Sequence, residues 1–189
     1  MNKAVFLDRD GVINKLVFNS ERTEFEPPHS VEDFILNSGV LPSLKKLQEN
    51  NFLLFIVSNQ PDFAKGKTKL KNLKNVHSFF NSELKKNNIQ FSGFYYCYHH
   101  PQGQIKKYAI KCNCRKPNNL FVLSAIKKFS VDKLESWFIG DRDSDIICGM
   151  NSGLKTILVL NPESKSYIGH SEPDFSVKNL NEAVKIILK

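Results

Sequence analysis

The chain has 189 residues, 41% of them hydrophobic and 24% charged. That balance suits one globular domain and excludes a disordered or low-complexity chain. A formal net charge of +8 favours anionic ligands, but the lysines are scattered and no aromatic–basic interleaving marks a nucleic-acid surface.

Residues 4–7, Ala-Val-Phe-Leu, form a short apolar run that ends at Asp8. They follow Met1-Asn2-Lys3 directly, so no signal peptide and a cytoplasmic location are expected. Residues 15–38 break the pattern as a polar loop containing Pro27-Pro28, and loops of such length inside a compact domain are generally functional. Apolar spacing predicts a helix over 41–48. A second strand spans 52–57 and ends at Ser58-Asn59; it is the longest apolar run, far too short to cross a bilayer. The next helix, 70–84, sets Leu70, Leu73, His77, Phe80 and Leu84 on one side. An aromatic strand over 91–98 leads into a second polar loop, 99–113. Pro117, suited to a first helical turn, opens a helix over 118–129. A strand over 136–139 ends at Gly140-Asp141, a helix over 143–150 stops near Gly153, a strand spans 154–160 and a helix 180–188 closes the chain. Short, continuously apolar strands alternating with helices predict a single α/β domain over 1–189, layered around a mainly parallel sheet.

In such sheets ligands bind outside the carboxyl ends of the strands. The first strand delivers Asp8-Arg9-Asp10-Gly11 there, and extended geometry sets Asp8 and Asp10 on the same side. Two such carboxylates repel unless a cation lies between them. The second strand end adds Ser58-Asn59-Gln60, and the fourth adds Asp141, Arg142, Asp143 and Asp145. Lys116 follows Cys114-Arg115 at a helix start. A calcium loop beginning at Asp141 is rejected, because Ile146 and Ser152 stand where Gly and Glu are required. Nucleophile, hydroxyl, cation and strand-end acids together are what phosphoryl transfer needs.

Cys97, His99, Cys112 and Cys114 offer three thiolates and one imidazole, the donor set of a closed, structural zinc site. Adjacent His100 is a rival ligand. Because Cys114 lies two residues before Lys116, zinc there would fix the backbone that presents Arg115 and Lys116. Cys148 reads as a small core residue.

The ordered motifs Asp8-x-Asp10-Gly11, Ser58-Asn59, Lys116 and Gly140-Asp141-x3-Asp145 resemble those of the haloacid dehalogenase superfamily of phosphatases. The resemblance implies a Rossmann-like three-layer sandwich in which Asp8 attacks phosphorus and Asp10 serves as acid and base. It also implies magnesium on Asp8, the Asp10 backbone carbonyl and Asp141, with Ser58 and Lys116 on the phosphate and Asp145 orienting the motif. The segments Tyr95-Tyr96-Cys97-x-His99-His100-Pro101 and Cys112-x-Cys114-Arg115-Lys116-Pro117 are similar to the D-glycero-D-manno-heptose 1,7-bisphosphate phosphatase family. Its histidinol-phosphate phosphatase relatives share the zinc loop, here 97–114. This narrower resemblance implies no large cap, a small phosphorylated sugar as partner, and removal of the 7-phosphate to supply heptose 1-phosphate for surface polysaccharide. A monomer is expected.

Asn59, Gln60, Lys65, Arg115 and Arg142 are the candidate substrate contacts. Three features depart from the heptose pattern. Pro61-Asp62-Phe63-Ala64-Lys65-Gly66 places Lys65 where the family has Arg, Arg142 stands where Lys is typical, and 15–38 is longer than usual. Arg22 and His29, within that loop, read as solvated surface. A nucleic-acid 3′-phosphatase and a non-catalytic zinc module are the rival classes.

Overall fold

The computed structural model describes residues 1–189. Strands β1 (Lys3–Leu7), β4 (Phe52–Asn59), β5 (Gly93–Cys97), β6 (Trp137–Gly140), β7 (Lys155–Val159) and β8 (Phe175–Val177) form one sheet in the order β5-β4-β1-β6-β7-β8. Every pairing in it is parallel. Helices α1 (Val40–Glu49), α2 (Leu70–Lys86), α3 (Leu120–Phe129), α4 (Asp143–Ser152) and α5 (Leu180–Ile187) cover its two faces. No helix is long and apolar enough to cross a membrane.

The period of two along the strands divides the core. Val5, Leu7, Leu54 and Ile56 point to one face, among Leu44, Leu47, Val76, Phe80 and Val184 from α1, α2 and α5. Ala4, Phe6, Phe55 and Val57 point to the other, among Val122, Ala125 and Cys148 from α3 and α4. The Phe6 ring stacks on Phe55 with centroids 4.9 Å apart. Strands buried on both faces explain why the sequence shows continuous apolar runs rather than alternation.

Four features differ from the sequence expectations. Residues 15–38 are not all loop: β2 (Val17–Asn19) and β3 (Glu24–Glu26) pair antiparallel as a hairpin. The aromatic strand is shorter: it begins at Gly93, and Phe91 lies before it with its ring stacked on Phe94. The buried side of α2 is Leu73, Val76, Phe80 and Leu84, while His77 is half-buried with Nδ1 3.2 Å from the Tyr96 hydroxyl. β8 adds an edge strand that the sequence reading lacked.

Register sets the site. Leu7 lies opposite Ile56 on β4 and Ile139 on β6, so the residues just beyond converge at one edge of three adjacent strands. Gly11 has φ +93°, and a Cβ there would collide with the Asp141 carboxylate; only glycine lets the chain turn so closely past that side chain.

Candidate active site

Lys116 is the hub. It is buried, and its Nζ donates to Asp8 Oδ1, Asp145 Oδ1 and the Val57 carbonyl, each at 2.7 Å. Burial lowers its pKa, but Asp145 and Asp8 outweigh that and raise it overall, so it stays charged. Asn59 clamps the Lys116 backbone from both sides: its Nδ2 donates to the Lys116 carbonyl at 3.1 Å and its Oδ1 accepts from the Lys116 amide at 3.0 Å.

Asp8, Asp141 and Asp145 bring one oxygen each to within 4.8 Å of one another, all buried. Burial raises Asp141 well above the carboxylate range, and Asp8 and Asp145 raise it further. Ser164, from the 3-10 turn Pro162–Tyr167, donates its hydroxyl to Asp141 Oδ2, whereas buried Asp141 Oδ1 has no partner. A buried, unpartnered carboxylate oxygen among like charges fits a hard divalent cation. Asp145 spends both oxygens elsewhere: Oδ1 on Lys116, and Oδ2 on the backbone amides of Asp141 at 3.2 Å and Arg142 at 3.0 Å. That is an orienting arrangement.

Asp10 lines the same cavity as Asp8 but is not one of the three clustered carboxylates. Its Oδ1 accepts from Arg9 Nε at 3.0 Å, Arg9 Nη2 at 2.9 Å and Asn14 Nδ2 at 3.0 Å. Its Oδ2 accepts from Arg9 Nη2 at 3.1 Å and Gln60 Nε2 at 2.5 Å. Arg9 is fully buried, and its guanidinium offsets the charge of the Asp10 carboxylate. Gln60 is buried as well, with Nε2 also 3.1 Å from Ser58 Oγ, so it braces Asp10 and Ser58 from behind instead of facing a ligand.

Beside this centre, Cys97, His99, Cys112 and Cys114 converge. Their sulfurs are 3.3, 3.4 and 3.6 Å apart, and His99 Nδ1 lies 3.5 Å from Cys114 and 3.9 Å from Cys97. A tetrahedral zinc with Zn–S of about 2.3 Å has S···S edges of about 3.8 Å and S···N edges of about 3.6 Å, so the residues fit that ion. His100 is not part of the group; its Nδ1 accepts from the Gln102 amide at 3.2 Å.

A HAD-hydrolase-like family profile matches residues 113–183. The chain is 32% identical over 98% of its length to the D-glycero-beta-D-manno-heptose-1,7-bisphosphate 7-phosphatase of Haemophilus ducreyi, and covers 98% of that protein. The chain belongs to the heptose-1,7-bisphosphate 7-phosphatase family of HAD-like hydrolases. Within the family it is also 33% identical, over 80% of its length and 79% of the relative, to the alpha-named 7-phosphatase of Photorhabdus laumondii. Its fold matches the crystal structure of D,D-heptose 1,7-bisphosphate phosphatase from B. bronchiseptica complexed with magnesium and phosphate. That match has TM-score 0.81 and 22% identity, over 98% of both chains.

In this member of the heptose-bisphosphate phosphatase family, a cavity of about 360 Å³ opens over Asp8, Asp10 and Lys116. Asn59, Lys65, Arg115 and Arg142 reach it; Gln60 and Ser58 do not. Burial lowers the Lys65 pKa, and Lys67 and Arg115 lower it further against the opposing pull of Asp62. Arg142 lies 4.1 Å from the Tyr167 ring, and its buried Nε has no partner. His29 is engaged rather than solvated, with Nε2 2.8 Å from Asp62 Oδ2, whereas Arg22 is exposed as expected while its Nη1 donates to Glu26 at 3.0 Å. Sequence reasoning missed Arg9, Asn14, Ser164 and Tyr167. All but Arg9 lie outside the motifs, and Arg9 sits inside one with no periodic signal of its own.

Proposed function

We propose that this chain is a magnesium-dependent phosphomonoester hydrolase that removes the 7-phosphate of a D-glycero-D-manno-heptose 1,7-bisphosphate. The observation that carries the reading is Lys116, tied between Asp8 and Asp145 beside the unpartnered oxygen of Asp141, under a cavity rimmed by Lys65, Arg115 and Arg142.

Asp8, Asp141 and the Asp10 backbone carbonyl would hold magnesium, which when bound supplies positive charge against the acids and the phosphate oxygens. Lys116 fixes the Asp8 rotamer through Oδ1 and balances charge as phosphate arrives. An Asp8 oxygen forms a bond to phosphorus as the bond to the sugar oxygen breaks, and Asp10 gives that oxygen its proton. In the second step water attacks phosphorus, Asp10 takes the water's proton, and the Asp8–phosphorus bond breaks. A protonated Asp10 cannot accept from Arg9, Asn14 and Gln60 at every lone pair, so carrying the proton loosens its resting contacts. Cys97, His99, Cys112 and Cys114 would hold zinc in a structural role. The proposal includes a cytoplasmic monomer, since a reducing compartment keeps the three thiols available to metal.

The test is phosphate release from both heptose bisphosphate anomers, histidinol phosphate and a 3′-phosphorylated oligonucleotide, assayed in parallel. A heptose bisphosphate is expected to have the highest kcat/KM, and Asp8→Asn is expected to abolish its turnover. Preference for the oligonucleotide would overturn the substrate, and substantial activity in Asp8→Asn would overturn the nucleophile.

A further inference from the structure

A short segment far outside the acidic motifs decides which oxygen Asp141 can offer. β7 ends at Val159, and the chain continues through Asn161 into the 3-10 turn Pro162–Tyr167. Asn161 caps that turn by accepting from the Glu163 amide at 3.0 Å, and its Nδ2 reaches the Gly11 carbonyl at 3.4 Å. Glu163 Oε2 accepts from the Leu16 amide at 3.3 Å. At the other end the Tyr167 ring lies 4.1 Å from the Arg142 guanidinium. The turn is thus pinned to the loop after β1 and to the residue beside Asp141, and Ser164 within it is fully buried.

Ser164 has a single hydroxyl hydrogen to give, and it goes to Asp141 Oδ2. Gly11 packs against the same oxygen so closely that a Cβ there would fall 2.0 Å from it. Asp141 Oδ1 is also buried but has no partner, and Asp8 brings an oxygen to within 4.8 Å of the Asp141 carboxylate. The two oxygens of Asp141 therefore have different fates. One is committed to the protein, and the other is presented alone.

The number of oxygens a carboxylate offers separates the hard cations. Magnesium demands a near-ideal octahedron and keeps much of its water, whereas calcium gathers about six to eight oxygens and readily takes both from one carboxylate. We infer that Ser164 is a positioning residue that holds Asp141 to one ligating oxygen and so biases the site toward magnesium over calcium. Without the hydroxyl, Oδ2 is free to turn alongside Oδ1, which favours the larger ion. A turn that served only to hold the fold would, when loosened, weaken both cations alike. This rests on the magnesium-dependent phosphatase reading above and specifies which residue sets its metal preference.

The experiment measures binding of magnesium chloride and of calcium chloride by isothermal titration calorimetry, without substrate, to wild type, Ser164→Ala and Glu163→Ala. Phosphate release from heptose bisphosphate is followed alongside, at fixed magnesium with rising calcium. Ser164→Ala is expected to lower the ratio of calcium Kd to magnesium Kd about tenfold, and to lower the calcium concentration that halves turnover by a similar factor. Glu163→Ala releases the turn from Leu16 but keeps the hydroxyl, so its ratio is expected to stay within about twofold of wild type. A ratio unmoved in Ser164→Ala, even with both cations weakened, or an equal fall in Glu163→Ala, would overturn the inference while leaving the phosphatase intact. Wild type that binds magnesium but releases no phosphate would overturn the phosphatase reading, and wild type that binds neither cation would overturn both.

Discussion

Replacing Asp141 by Asn should stabilise the metal-free protein and at the same time remove its response to magnesium. The cluster oxygens of Asp8, Asp141 and Asp145 lie within 4.8 Å of one another. At an effective dielectric of about 20, two unit charges at that separation repel by about 3 kcal/mol. Asp141 faces two such neighbours, and Lys116 and Arg142 offset part of the sum, so the net relief is on the order of 2 kcal/mol. An Asn keeps an acceptor for the Ser164 hydroxyl and can turn its amide toward Asp8. For a chain of this size that relief raises Tm by about 4–8 °C. In wild type, magnesium at about 100 times its Kd adds about 2.7 kcal/mol through mass action, and the Asn variant should gain none of it. Thermal unfolding with chelator and then with a magnesium series measures both arms. A variant less stable than wild type without metal, or one that rises equally with magnesium, would refute the assignment of these carboxylates to a cation site.

Zinc removal should act at a distance: stripping the metal with a thiol-competitive chelator is expected to lower kcat/KM about tenfold or more, because Cys114 leads through Arg115 into Lys116. Metal analysis alongside the assay decides it, and zinc-free protein with full activity would disprove the coupling. For Glu26, burial alone would raise the pKa, but hydrogen bonds from Lys67 and Asn19 hold it down at about 2 against an ordinary 4.5. A depressed folded-state value means the carboxylate contributes stability in full above about pH 4.5, and that stability is lost as pH falls toward about 2. Urea unfolding between pH 6 and 2 should therefore show a steeper acid loss in wild type than in Glu26→Gln, and parallel curves would contradict that contribution.

Much of this was legible in the sequence because the strands are buried on both faces. Residues 52–57 and 137–139 stand out as unbroken apolar runs, and the site residues follow within two positions of each, at Asn59 and at Asp141. The hairpin was not legible. Its strands are three residues long, Val-Phe-Asn and Glu-Phe-Glu, too short for a period of two to rise above a polar background. β8 hid for the same reason, behind Pro173 and Asp174. Gln60 was misplaced because neighbouring Asn59 does reach the cavity, and alternation along a strand end sends the next side chain inward. Asn14 bonds Asp10 only four residues away, but outside any helix or strand whose period would mark it, and Ser164 was missed because its value comes from a contact across the fold. Ser164 meets Asp141 23 residues away, a relation no local pattern encodes.

Asp8, Asn59 and Asp141 stand at the ends of three neighbouring strands, about 4.8 Å apart in a parallel sheet, and are not spaced by the segments that join them. The parts of those joining segments that touch none of the three can lengthen, shorten or refold without shifting the groups against one another. The floor of the cavity can thus keep one reaction through changes that give it a new roof, and a change of substrate need not pass through an inactive intermediate sequence.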